Sequence, residues 1–486
     1  MSSARGTRVV VLVAVLAATC VLLPGLGHTP LVDWDEGIYA EVARGVREHD
    51  AWRLTWNGEA YNRKPPLLFW AIAASYEVFG VSEAAARLPS ALAGVATVGV
   101  VAAVVATRSG PVAGLLAAAL LLGSTLFLER GGRRACTDSL VILFSAIALW
   151  RATANPGTRR ARIEAGVAIG LGILAKGAAG LIAPVALLLA APLDRTRRAD
   201  CAWMMAVATL VAAPWYAVQL WIGGTEFLAS HVGFELIERA LRPIHGDGAP
   251  WWYPLWVMRW NGGVWVPVVA LAAVLRASVD AELRPGILPW LCFAALVVAA
   301  SMSMQTKLPW YPLPALPMLA VAGGLAAARG AARSWTAVRS VALAGLGLVA
   351  LHSLALTGTA RRTVIDEELQ FVPFRDLGAR IALALGEEPF IGATRENPTL
   401  IFYGGRPIRI YQEEELSRLL RDPDSLPRAG LVPVAEADAL LGGGAEEIAR
   451  FGDRVLLRFA PVASVPPTAA QDVEAIDPAA EPAHDA

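Results

Sequence analysis

Long apolar runs, broken by short clusters of arginine, dominate the first 360 positions of the chain. A hydrocarbon core of about 30 Å needs roughly 20 apolar residues in a helix. On that measure, spans are predicted near 9–27, 84–106, 111–128, 138–153, 162–176, 177–192, 202–222, 252–275, 286–304, 309–328 and 338–357. The division at position 176 rests on Ala175-Lys176-Gly177, because an unbroken 162–192 helix would hold a lysine in mid-bilayer. Two connections are long, 28–83 and 223–251. Within the first, 35–48 has the period of an amphipathic helix. The stretch 66–79 is apolar but too short to span, so it is expected in the interface or against the bundle.

The pattern changes near 361. Short β-like runs occur at 390–393, 400–403, 408–411, 430–434 and 455–459, with helical segments at 372–385 and 413–420 between them. This predicts a small α/β domain over 361–463 and a disordered tail over 464–486. There is no internal repeat. Gly442-Gly443-Gly444 lacks the strand-to-helix setting of a phosphate-binding loop.

Composition supports a membrane protein. Hydrophobic residues make up 56% of the 486 positions and charged residues 17%, which excludes a disordered chain, a collagen-like fibre and a small disulfide scaffold, and argues against a soluble enzyme. The formal net charge of zero conceals an uneven distribution. Residues 361–486 hold 22 of the 42 acidic and 13 of the 42 basic residues, so a basic body precedes an acidic tail. Cys20, Cys136, Cys201 and Cys292 form no CxxC pair, which argues against structural zinc through cysteine and a disulfide framework.

With the amino terminus in the cytoplasm, Arg108, Arg151, Arg159, Arg160, Arg162, Arg195, Arg197, Arg198, Arg276, Arg284, Arg329, Arg333 and Arg339 all fall in cytoplasmic loops, as the positive-inside rule requires. An odd number of spans then puts the 361–463 domain outside the cytoplasm. Residues 1–27 are expected to stay as an anchor, since the cleavage pattern of a signal peptide is poor.

Only three of the 42 basic residues are lysine, namely Lys64, Lys176 and Lys307, and all three fall on the extracytoplasmic side of this topology. A compact ammonium suits a phosphate oxygen; snorkelling to the interface is the alternative use. Acids share that side. Asp35 and Glu36 follow the first span, and Asp138 opens the fourth behind Arg130, Arg133 and Arg134. Each acid fits a helix cap or a general base at the mouth of a cavity. Arginines kept on the disfavoured side point to an anionic ligand. His231 and His245 stand near Glu226, Glu235, Glu238 and Asp247 without clean metal-ligand spacing. The tryptophans from Trp251 to Trp260 read as an aromatic belt.

Several runs, in order, resemble the integral-membrane GT-C glycosyltransferases of the branch holding the protein O-mannosyltransferases (glycosyltransferase family 39) and the aminoarabinose transferases of lipid A. They are Asp35-Glu36-Gly37-Ile38-Tyr39-Ala40-Glu41, Asn57-Gly58-Glu59-Ala60-Tyr61-Asn62-Arg63-Lys64-Pro65-Pro66-Leu67, Phe79-Gly80-Val81-Ser82-Glu83 with Ala86-Arg87-Leu88-Pro89-Ser90, Thr137-Asp138, Ala175-Lys176-Gly177, Pro214-Trp215-Tyr216 and Lys307-Leu308-Pro309-Trp310-Tyr311. The likeness covers about 30–360. It implies an α-helical polytopic GT-C fold of about 11 to 13 transmembrane helices over 1–360, beside the small extracytoplasmic α/β C-terminal domain. It also implies an inverting transfer from a polyprenyl-phosphate sugar to a lipid, glycan or protein acceptor outside the cytoplasm, with membrane lipid as surroundings and no nucleic acid.

By this resemblance Asp35 is the catalytic base and Asp138 supports the acceptor or orients the site. Lys64 holds the donor phosphate, with Arg63 and Lys176 as further phosphate contacts, and Lys307 and Tyr311 line the lipid-phosphate cavity. Glu36, Tyr61, Arg134 and His245 are supporting candidates. The aminoarabinose transferases carry a metal-linked glutamate just before the loop lysine. Arg63 stands there instead and leaves a divalent metal in question. Ile38 stands where that family has an arginine, which argues against an aminoarabinose substrate. A transporter or flippase of lipid-linked sugars is the rival reading, disfavoured by the absence of inverted repeats and midplane helix breaks. A scaffold acting through its acidic tail is the second rival; it would make Asp35 and Lys64 dispensable.

Overall fold

The computed structural model describes residues 2–32, 34–190, 195–244, 249–263, 265–327, 375, 385, 389–394, 397–420, 429–441, 445–451 and 454–458. The expected span 338–357, nearly all of the expected helix 372–385 and the tail 464–486 lie outside them. The chain divides into two units. One joins Met1–Gly378 with Asn397–Gly405, and the other joins Ala379–Glu396 with Arg406–Ala486.

The first unit is helical. It begins with α1 (Ser2–Leu22) and α2 (Asp35–Glu48). A two-strand hairpin follows, β1 (Thr55–Trp56) and β2 (Glu59–Ala60), turned by Asn57-Gly58, both at positive φ as such a tight turn requires. Then come α3 (Leu67–Phe79), α4 (Glu83–Ser109), α5 (Pro111–Leu122), a π-helical turn at Phe127–Gly131, α6 (Thr137–Ala154) and α7 (Arg159–Lys176). A 3₁₀ turn at Gly177–Leu181 leads to α8 (Ile182–Leu189). Next are α9 (Arg195–Leu228), a π-helical stretch at Ala229–Glu238 and α10 (Arg239–Leu241). The last elements of the main run are α11 (Tyr253–Val257), a π-helical turn at Met258–Gly262, α12 (Trp265–Val279), α13 (Arg284–Ser303) and α14 (Ala315–Ala326).

The chain is a polytopic membrane protein. Among the described residues, 6 helical runs are long and apolar enough to cross a bilayer, and the pair around Gly262 adds a seventh if counted as one span. The elements are held by small residues and a continuous apolar core. Gly166 and Gly170 of α7 lie where a Cβ would come within 2.6 Å of Val207 and Val211 on α9, the close approach that small residues four apart allow in lipid. Val98, Val105, Leu121, Phe127, Trp265, Trp290 and Leu316 belong to one buried cluster.

The expected division of 162–192 has a structural basis. A Cβ on Gly180 would lie 2.5 Å from the carbonyl carbon of Gly172. Eight residues of straight helix would separate these positions by about 12 Å, so the chain folds back after Lys176.

Four expectations are corrected. The predicted loop 223–251 is helical as far as Leu241, with a break at Gly224 (φ 48°), because its apolar residues still recur at helical spacing past the glycines. The predicted span 252–275 is bent by 107°, next to Gly263 at φ 117°. The runs 111–128 and 309–328 hold the shorter helices α5 and α14, and Pro309, Pro312 and Pro314 delay the start of the second. The run 400–403 is not a strand. It lies in α15 (Pro398–Gly404), where the Asn397 side chain accepts from the Leu400 N–H at 2.9 Å and Pro398 occupies the first turn.

The second unit contains β3 (Ile391–Ala393), β4 (Ile408–Ile410), α16 (Glu413–Leu420), β5 (Ala429–Pro433), α17 (Val434–Leu441), β6 (Glu446–Phe451) and β7 (Arg454–Arg458). The sheet order is β4-β3-β5-β7-β6. Strand β3 pairs parallel to β4 and β5, and β7 runs antiparallel to β5 and β6. Leu416, Leu420, Val432, Val455 and Leu457 fill its core.

Candidate active site

Asp35 is the first residue of α2. Its carboxylate receives a hydrogen bond from Arg130 Nη1 at 2.8 Å and its side chain is 32% exposed. Burial works against its charge, but Arg130, then Lys64 and Lys176, outweigh that and hold the carboxyl below the usual range. Arg130 comes from the π-helical turn and lies over Trp310, with 3.5 Å between guanidinium carbon and ring centroid. Before Asp35, Trp34 adopts φ 65° and ψ −112°. A non-glycine residue there costs of order 1–3 kcal/mol, and such strain gathers at functional sites.

Glu36 faces the other way, into the protein. It binds Arg87 through Nε at 2.9 Å and Nη2 at 2.8 Å, and accepts the backbone N–H groups of Val32 and Ala135 at 2.9 and 2.8 Å. Arg87 also donates to the carbonyls of Leu26, Thr29 and Pro30. Both side chains are almost wholly buried. This pair fastens the segment between α1 and α2 rather than presenting a charge to substrate.

Further ion pairs stand close enough to act on Asp35. Lys176, at the end of α7, donates to Asp138 at 2.5 Å. Lys64 pairs with Glu235, which also meets Arg239 at 3.3 Å. Burial pushes the Lys64 ammonium down, and Glu235 counters it. Arg239 in turn donates to the Tyr311 hydroxyl at 3.4 Å. His231 contacts the Asn62 carbonyl through Nδ1 and the Tyr216 hydroxyl through Nε2, both at 3.2 Å, and so ties the segment carrying Lys64 to the helical extension beyond α9. Arg130, Lys64, Lys176 and Arg239 against Asp35, Asp138 and Glu235 leave a surplus of one positive charge.

The remaining candidates are less central. Arg63 is exposed, with its guanidinium 5.2 Å from the Phe234 ring. Tyr61 is buried edge-on to Phe69, and burial raises its phenol well above the usual value. Arg134 pairs with Glu129 at 2.8 Å. Lys307 donates to the Met304 carbonyl at 2.5 Å. His245 lies outside the described residues. Among the described residues no three His, Cys, Asp or Glu side chains converge as a metal site. Arg63, a cation rather than a carboxylate, stands just before Lys64. A cleft of about 450 Å³ along α2 and α3, lined by Arg47, Trp52, Trp70 and Glu77 among others, contains none of the site residues.

Sequence named Glu235 and His231 only in a loose metal-like cluster and Trp310 only within a motif; Arg239 and the partners these residues take were not identified from it. Glu235 and Arg239 fall within what reads as a loop. Their separation by four positions, on a segment that continues α9, was the available signal.

Comparison with known proteins agrees with this architecture. Residues 63–221 match the family model described as dolichyl-phosphate-mannose-protein mannosyltransferase. An undecaprenyl phosphate-alpha-4-amino-4-deoxy-L-arabinose arabinosyl transferase of Aeromonas salmonicida is 26% identical over 320 residues, 62% of this chain and 56% of the relative. The chain spans about half the length of the curated relatives it matches. In structure, ArnT from Cupriavidus metallidurans bound to undecaprenyl phosphate superposes with a TM-score of 0.72 at 22% identity, over 92% of this chain and 97% of that one. AglB from Archaeoglobus fulgidus, in complex with an inhibitory peptide and a dolichol-phosphate, gives 0.59 at 12% identity, over 89% and 70%. Fold and comparisons describe a polytopic membrane protein whose fold is similar to that of the GT-C glycosyltransferases. The resemblance to the integral-membrane GT-C glycosyltransferases holds in sequence and in fold, ArnT being a close structural counterpart.

Proposed function

We propose that the chain is an inverting glycosyltransferase that moves one sugar, a hexose or pentose, from a polyprenyl phosphate to a lipid, glycan or protein hydroxyl on the extracytoplasmic face. The observation that carries this reading is the Asp35 carboxylate, one-third exposed and kept ionised under the influence of Arg130, Lys64 and Lys176. A carboxylate so placed can take the proton of an acceptor hydroxyl. The acceptor oxygen forms its bond to the anomeric carbon as the bond to the phosphate oxygen breaks, and that oxygen leaves with the electron pair. The leaving group is already a phosphate and needs no general acid. Its growing charge falls to Lys64 and Arg239, two cations held side by side on Glu235. Lys176 and Asp138 fix the wall beside Asp35.

The donors and acceptors named for the relatives support this choice of substrate class. Ile38 and Arg63 argue against aminoarabinose as the sugar. Purified protein is given radiolabelled polyprenyl-phosphate sugars with a membrane extract as acceptor. Label is expected in a product of inverted anomeric configuration. A product of retained configuration would sink the single-displacement reading.

A further inference from the structure

Helix α15 belongs to the first unit although the chain on both sides of it belongs to the second. It packs on the first turn of α2. A Cβ on Gly37 would lie 3.0 Å from the carbonyl carbon of Pro398 and 3.1 Å from the Thr399 nitrogen. Arg44, two turns along α2, donates to the Phe402 carbonyl at 3.1 Å and holds its guanidinium 5.4 Å from the Phe402 ring. The helix is short but well bounded, by the Asn397 cap at one end and by Gly405 at φ 62° at the other.

Tyr403 lies near the end of this helix. Its hydroxyl donates to Glu83 at 3.0 Å and accepts the backbone N–H of Leu31 at 2.9 Å. Leu31 is fully buried. One residue on, the Val32 N–H goes to Glu36. Two residues further, Trp34 is strained, and Asp35 follows it. A strained residue keeps its conformation only where the chain around it is fixed independently. Tyr403 fixes the turn at Leu31, and Glu36 fixes it at Val32 and to Ala135.

We propose that Tyr403 is a positioning residue for Asp35: by holding Leu31 it preserves the strained turn that sets the Asp35 carboxylate on Arg130. The inference rests on Asp35 being the base. Removing the hydroxyl takes away the acceptor at Leu31, lets the turn relax and loosens the contact with Arg130. Arg130, Lys64 and Lys176 face Asp35 from three elements, with Tyr39, Tyr61, Cys136 and Glu36 beside them. Burial opposes the charge on Asp35 and Arg130 is the largest effect against it. A looser pair therefore ionises at higher pH.

The test uses the full chain in detergent, with Tyr403→Phe, Asp35→Asn and wild type run together. Tyr403→Phe is expected to fold, to lower kcat about tenfold as a small misplacement does, to leave the donor KM unchanged and to move the acid limb of kcat to higher pH. A wild-type kcat and limb overturns the proposal. So does a lower rate with an unmoved limb, which a merely structural role would give. If Tyr403→Phe does not accumulate, Gly37→Ala pushes against Pro398 and Thr399 at the start of α15 and so displaces the helix that carries Tyr403; an unmoved limb there overturns the proposal too. Full turnover by Asp35→Asn would overturn the assignment of the base. An inactive Asp35→Asn beside an unaltered Tyr403→Phe would overturn the positioning role alone.

Discussion

Arg130 touches Asp35 and Trp310 at once: its Nη1 lies 2.8 Å from the carboxylate while its guanidinium carbon stands 3.5 Å from the indole centroid. The stacking fixes the cation, and the fixed cation fixes the base. The folded-state pKa of Asp35 is depressed, so the ionised, competent form persists as pH falls and is lost only below the usual carboxylate range. Arg130→Gln removes the largest opposing charge and leaves burial to act. The acid limb of kcat should then move upward, with Lys64 and Lys176 still opposing burial. A pH–rate profile checks this, and an unmoved limb would mean that Arg130 does not set the ionisation of the base.

Lys64 and Glu235 make a matched pair of tests. A hydrogen bond to a charged group is worth about 1.5–3 kcal/mol, so Lys64→Ala should raise the donor KM about 10- to 100-fold with a smaller effect on the acceptor KM. Glu235→Gln should act in the opposite sense. It frees Lys64 and Arg239 from their shared counter-ion, so binding of undecaprenyl phosphate should tighten. Titration of both variants with that lipid separates the two directions.

Glu36 should behave unlike its neighbour. Breaking a buried ion pair by removing one partner costs about 3–5 kcal/mol, and Glu36→Ala leaves Arg87 without its carboxylate. Thermal unfolding in detergent should show a large loss of stability, whereas Asp35→Asn should melt close to wild type. Equal melting of the two variants would contradict the division of roles.

Gly180→Ala tests the fold-back after Lys176. The added methyl would meet the Gly172 backbone at 2.5 Å, and backbone on both sides cannot yield cheaply. Little folded protein is expected, while Gly157→Ala, at an open turn with nothing within 4 Å, should accumulate, with only local backbone strain. Normal yield of Gly180→Ala would mean that the chain runs straight through this point.

Much of the fold could be read from the chain because its signals are local. The amphipathic period of 35–48 returned α2 with the same limits, and the apolar stretch 66–79 returned α3 one residue shorter. Lysine scarcity drew attention to Lys64 and Lys176, and both stand within electrostatic reach of Asp35. What the sequence hid is either cooperative or distant. The segment 229–241 is polar enough to read as a loop, yet it continues a helix and carries Glu235 and Arg239. Lys64 and Glu235 are 171 positions apart, and no spacing rule reaches that far. The apolar residues at 400–403 suit a strand equally well, and only the Asn397-Pro398 start settles them as helix.

The most informative measurement is transfer of label from a radiolabelled polyprenyl-phosphate sugar to a membrane-extract acceptor, with wild type and Asp35→Asn side by side at equal folded concentration. Transfer by wild type and none by Asp35→Asn is the expected result. Equal transfer by both would show that Asp35 is not the base.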